Sequence, residues 1–176
     1  MLDVTEKMTP LEKEAFRKHQ GKFPFPVISF ANEIGVKVYA DEKLPRDTSG
    51  AIRKVGNEYS VVLNANHSKQ RILFTLAHEL GHYFNDKDYL ESNGEIEDSS
   101  KQSHGWLYRK EGRPCDESMR QRDVLANKFA AELLMPEKDF ILQWKRHGSA
   151  EAVAKFFNVS VSAVQVRAAS VLGEIV

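Results

Sequence analysis

The chain has 176 residues, 41% hydrophobic and 28% charged, a size and balance that suit one soluble globular domain with a real core. Lysine plus arginine equals aspartate plus glutamate at 25 each, so net charge offers no argument for a nucleic-acid or anionic-membrane partner. The single cysteine, Cys115, excludes an internal disulfide; the first residues hold no apolar signal core and no apolar run is long enough to span a bilayer, so a cytoplasmic location is expected.

Thr9-Pro10-Leu11-Glu12 reads as a capping box with proline at the first helical position. It opens a helix that Gly21 ends. Pro24 and Pro26 mark a turn, and a second helix starts near Val27 with Gly35 past its end. Residues 36–39 alternate as a short strand. Residues 50–55 and 58–63 flank Gly56-Asn57, a strong hairpin signal. Ser68 is placed to cap the next helix.

That helix carries the most informative stretch, His78-Glu79-Leu80-Gly81-His82, after the apolar run Ile72-Leu73-Phe74-Thr75-Leu76-Ala77. Histidines at i and i+4 lie one turn apart on one face, so both imidazoles can reach one ion. Glu79 stands beside them, positioned to take a proton from water activated at that ion. Two unrelated surface histidines would sit in a more polar helix than this one, where Leu80 and Gly81 fill the gap and Tyr83 and Phe84 follow. Residues 85–117 are polar, with Gly94, Gly105, Gly112 and Pro114, and read as a long loop or partly ordered cover. A helix over residues 118–135 follows, stopped by Pro136. Residues 149–172 suggest two short helices around Asn158-Val159-Ser160.

A catalytic zinc needs a third protein ligand. The continuation that would supply a third histidine is absent, since Asn85 and Asp88 stand where its glycine and histidine belong. A carboxylate or His104 must serve. Asp123 is the best candidate, on a helix whose apolar face reads as Leu125, Ala126, Phe129, Leu133 and Leu134. Spacing alone leaves a second reading open, in which Asp123 merely favours the positive end of its helix. Glu91, Glu95, Glu97, Asp116 and Glu117 are looser competitors.

The stretches Thr75-Leu76-Ala77-His78-Glu79-Leu80-Gly81-His82-Tyr83 and Ala126-Asn127-Lys128-Phe129-Ala130-Ala131-Glu132-Leu133-Leu134-Met135-Pro136 resemble the ImmA/IrrE family of metallopeptidases. Residues 34–39, the Ser49-Gly50 pair and Leu63-Asn64 resemble its N-terminal pattern. The first motif alone is a modest signal; joined to the second at this distance it is specific. In that family the acidic ligand stands four residues before the asparagine, usually as glutamate, which implies Asp123 here. Aspartate is one methylene shorter, and position 125, often acidic in relatives, is Leu125.

The expected fold is α+β: a small, mostly antiparallel sheet from residues 36–63 packed on a zincin-type helix, with additional C-terminal helices. Residues 1–176 are expected to form a single metallopeptidase domain, with a zincin-like core over 1–148 and a helical segment over 149–176 packed on it. One zinc ion per chain is expected on His78, His82 and Asp123, with Glu79 as general base. His104, Tyr108 and Arg109 are candidates for substrate or transition-state contacts, each also readable as an ordinary loop residue. Asn127 is a candidate to hydrogen-bond behind a ligand or to cap a local backbone group.

The resemblance implies a substrate: relatives cleave XRE-type helix-turn-helix repressors and relieve repression of mobile-element or stress-response genes. The alternative is a toxin-like member of a toxin–antitoxin pair that acts by binding a repressor-like partner. A third reading takes the helix-turn-helix cadence of residues 150–167 as a DNA-binding unit around a structural metal. Only Gln165 and Arg167 could read a groove there, so direct DNA binding is not expected.

Overall fold

A computed structural model describes residues 2–99 and 117–173. In chain order the elements are α1 (Pro10–His19), α2 (Val27–Glu33), β1 (Val36–Asp41), β2 (Thr48–Val55), β3 (Glu58–Asn64), α3 (Lys69–Asn85), α4 (Lys87–Asn93), β4 (Glu95–Ser99), α5 (Glu117–Leu134), α6 (Glu137–His147), α7 (Ala150–Phe157) and α8 (Val161–Leu172). The class is α+β, with one four-stranded sheet of order β1-β3-β2-β4. The β2–β3 and β2–β4 pairings are antiparallel, and β1 runs parallel to β3. The β2–β3 hairpin turns at Gly56, which adopts φ +60°, the left-handed conformation that glycine enters without steric cost.

The Thr9 capping box forms as its spacing dictates, with the Thr9 N–H donating to Glu12 Oε2 at 2.6 Å. Ser68 caps α3 by accepting from the Arg71 N–H at 3.3 Å. Ile52, Val61 and Leu63 of the sheet share one core with Leu76 and Leu80 of α3 and with Phe129 and Leu133 of α5. The pair Ser49-Gly50 has a physical reason. Ser49 Oγ accepts from Arg71 at 2.9 Å, and a Cβ on Gly50 would lie 2.8 Å from Thr75 Cγ2, so β2 crosses α3 where only glycine fits. Asn64, fully buried, donates to the Pro45 and Thr48 carbonyls at 3.0 and 2.8 Å and ties the end of β3 to the loop before β2.

Two departures from the sequence reading stand out. The polar stretch after residue 85 is not all loop: α4 follows α3 at once, and β4 adds an outer strand to the sheet. Residues 137–147, given no element from sequence, form α6; Pro136 ends α5 and also serves as the N-cap of α6. No helix among the described residues is long and apolar enough to cross a membrane.

Candidate metal centre

Helix α3 is buried continuously from Thr75 to Phe84, so both histidines and Glu79 are held in the interior. At Gly81, between them on the chain, α5 packs directly against α3: a Cβ there would lie 2.7 Å from Ala126 Cα and 2.9 Å from the Ala126 carbonyl oxygen. That contact lets α5 deliver Asp123 to the histidines. His78 Nε2 and His82 Nε2 stand 3.1 Å apart, and Asp123 Oδ1 lies 3.5 Å from His82 Nε2. All three ligand atoms fall within 4.8 Å of one another. The Asp123 side chain keeps 22% exposure while that of His82 keeps 1%, so the cluster is closed on the α3 side and accessible on the α5 side.

The far ring nitrogens are also engaged. His78 Nδ1–H donates to Asn127 Oδ1 at 3.0 Å, and His82 Nδ1–H donates to Asp86 Oδ2 at 2.7 Å. Both partners are acceptors, so in each neutral ring the proton sits on Nδ1 and the Nε2 lone pair is free to bind. Two lone pairs and a carboxylate oxygen therefore face one point. Burial pushes His82 down, but hydrogen bonds from its ring to Asp123 and Asp86, and the charge of Glu79, outweigh burial and hold it up to about 9. Burial and the charge of His82 push His78 down to about 4. Two imidazoles and a carboxylate converging on one point are a donor set that suits a divalent ion, zinc above all. The residues present fit the ion.

The sequence-derived candidates sort clearly. His78, His82 and Asp123 come together, Glu79 lies on the same buried face, and Asn127 reaches His78. His104, Tyr108, Arg109 and Asp116 lie outside the described residues. Glu91, Glu95 and Glu117 are engaged elsewhere, with Lys54 at 3.1 Å, Arg53 at 2.9 Å and Arg120 at 3.3 Å. The apolar face of α5 is Ala126, Phe129, Ala130, Leu133 and Leu134; Leu125, assigned to it from sequence, points outward at 44% exposure. Tyr83 packs, and its hydroxyl donates to Glu12 Oε1 at 2.7 Å. Sequence reasoning passed over Asp86, although it stands one helical turn beyond His82 and that spacing could have found it.

The Peptidase_M78 family model, the IrrE N-terminal-like domain, matches residues 31–169. A solved Mycobacterium tuberculosis transcriptional regulator shares the fold, with a TM-score of 0.57 and 17% identity over 94% of this chain and 48% of the regulator. The chain thus spans about half the length of that protein. No curated protein matches the sequence significantly.

Proposed function

This chain belongs to the Peptidase_M78 family, and from that premise we propose that it is a cytoplasmic zinc-dependent endopeptidase that cuts an XRE-type helix-turn-helix repressor. The observation that carries the proposal is the convergence of His78 Nε2, His82 Nε2 and Asp123 Oδ1 beside a buried glutamate on the same helix. When bound, zinc supplies Lewis acidity, polarising a scissile carbonyl and lowering the pKa of water toward ~7.

The chain's own residues do the rest. Glu79, one residue after His78, accepts the proton of the attacking water and returns it to the leaving amine. Asn127 and Asp86 hold the imidazoles in the tautomer that presents Nε2. His104, Tyr108 and Arg109 remain the proposed donors to the developing oxyanion.

The C-terminal helices support a role other than groove reading. Arg167 is buried, paired with Glu132 and donating from Nε to the Met135 carbonyl at 3.1 Å, so the one cation of the suspected recognition helix faces inward. A transcriptional regulator with the same fold supports a regulatory setting, and the family resemblance supports a repressor as substrate. The test is to incubate the zinc-loaded protein with an XRE-type repressor and, separately, with casein. One defined cut in the repressor and little casein digestion are expected. Rapid casein digestion without preference for the repressor refutes the substrate. A stable complex that is never cut supports the toxin–antitoxin alternative instead.

A further inference from the structure

We infer that Asp86 and Arg122 are a positioning pair for the metal centre: Asp86 sets the tautomer and orientation of His82, and Arg122 clamps Asp86 while stacked on Tyr89. The inference rests on the proposal that His78, His82 and Asp123 hold the ion. It starts from an oddity of local structure. Asp86 is the N-cap of α4, a position where an aspartate normally accepts a backbone N–H of the first turn, yet its side chain makes no such bond. The carboxylate turns back onto α3 instead. Oδ2 takes the His82 Nδ1–H at 2.7 Å, and Oδ1 faces Arg122 Nε at 3.8 Å. The Asp86 backbone N–H meanwhile donates to the His82 carbonyl at 2.8 Å, so residue 86 is fastened to residue 82 through main chain and side chain together.

Arg122 joins three elements. It precedes Asp123 on α5, its guanidinium carbon lies 3.8 Å from the centre of the Tyr89 ring on α4, and it supplies the counter-charge to the nearly buried Asp86. His82 is consequently gripped at both ring nitrogens by neighbouring residues of one helix: Asp123 faces Nε2, and Arg122 acts on Nδ1 through Asp86. Sliding or rotating α5 against α3 would disturb both grips at once. Asp86 cannot itself join the ligand set while it holds Nδ1, the nitrogen that faces away from the ion. The pair therefore acts through His82.

The experiment measures zinc affinity by chelator competition and reads the His82 tautomer by long-range 1H–15N NMR of histidine-labelled protein. Asp86→Ala should weaken zinc by roughly 10–100-fold and, in the zinc-loaded protein, shift His82 away from the single Nδ1–H, Nε2-bound form. Arg122→Ala should weaken zinc in the same direction by a smaller factor, and Asp86→Glu should restore part of the loss. Asp86→Asn, nearly the same shape, guards against a folding defect: a native melting profile with altered tautomer and weaker zinc supports the pair. Wild-type zinc affinity and wild-type tautomer in folded Asp86→Ala or Asp86→Asn overturns the inference while leaving the metal centre standing. Wild-type zinc affinity in His78→Ala and His82→Ala overturns the metal centre itself, and the inference with it.

Discussion

Gly81→Ala sets two effects of known size against each other. Alanine favours a helix interior over glycine by about 0.8–1.0 kcal/mol, so propensity alone predicts a stabler protein. The structure predicts the opposite. The new methyl would lie 2.7 Å from Ala126 Cα, 2.9 Å from its carbonyl oxygen and 3.1 Å from its Cβ. Carbon–carbon contacts settle at about 3.5–4.0 Å, so α5 must retreat by roughly 1 Å, and the obstacle is main chain that cannot rotate aside. Overpacking of this kind costs about 1–3 kcal/mol, and with backbone as the obstacle the upper part of that range applies. The net loss is then about 1–2 kcal/mol, or a fall in Tm of about 2–8 °C for a chain of this size. Asp123 lies one turn before Ala126 on the same helix, so the retreat also withdraws it from His82. A shift of roughly 1 Å is several times the ~0.2 Å tolerance of a ligand distance, and zinc affinity should fall on the order of tenfold. Thermal unfolding in chelator and zinc competition in its absence measure the two consequences separately. A higher Tm with unchanged zinc affinity would show that the close α3–α5 approach does not govern the site.

Glu79→Gln should bind zinc as the wild type does yet lose about 10²–10⁴-fold in peptide cleavage, measured with matched metal content, because the amide cannot accept the proton. Asp123→Ala should lose tight zinc, whereas Asp123→Glu, which restores the usual ligand length, should retain or increase activity; tight zinc in Asp123→Ala would send the third ligand elsewhere. Tyr83→Phe should cost about 1.5–3 kcal/mol in urea unfolding, since it removes a hydroxyl that donates to a buried carboxylate. Burial raises the Glu12 carboxyl, but the Tyr83 hydroxyl, the Thr9 backbone and hydroxyl, and Lys87 outweigh it and hold Glu12 below the usual carboxylate range. A lowered folded pKa stabilises above the unfolded value of about 4.3 and is lost as pH falls through the folded pKa. The stability gap between wild type and Glu12→Gln should therefore be full at pH 7 and shrink on acidification; a gap independent of pH would refute the assignment.

What the sequence revealed was local chemistry. The Thr9–Glu12 box, the Gly56-Asn57 turn and the His78–His82 spacing are each decided within a few residues, and each formed as read. What it hid depends on partners far along the chain. β4 reads Glu-Ile-Glu-Asp-Ser, with Ile96 buried at the edge of the core, and becomes a strand because β2 offers it a ladder. The parallel β1–β3 pairing inserts β3 between two strands that precede it, which no turn signal announces. Arg167 looked like a groove reader because its partner, Glu132, lies 35 residues earlier. The Asp123 assignment combined both kinds of information: the residue was visible, but its approach to the histidines depends on Gly81 meeting Ala126.

The family match begins at residue 31, yet α1 reaches the metal helix from outside it. Glu12 receives the Tyr83 hydroxyl, Lys87 stands 3.4 Å from the same carboxylate, and Phe16 and Phe25 both meet Phe30 edge-on, while Phe30 in turn stacks on Phe84. A fragment trimmed to residues 31–169 would leave the buried Tyr83 phenol without its acceptor and uncover the face of Phe84 that Phe30 stacks on, one and two residues after His82. The family match is thus shorter than the set of residues packed around α3. A boundary drawn at the start of that match would cut through the packing that supports α3.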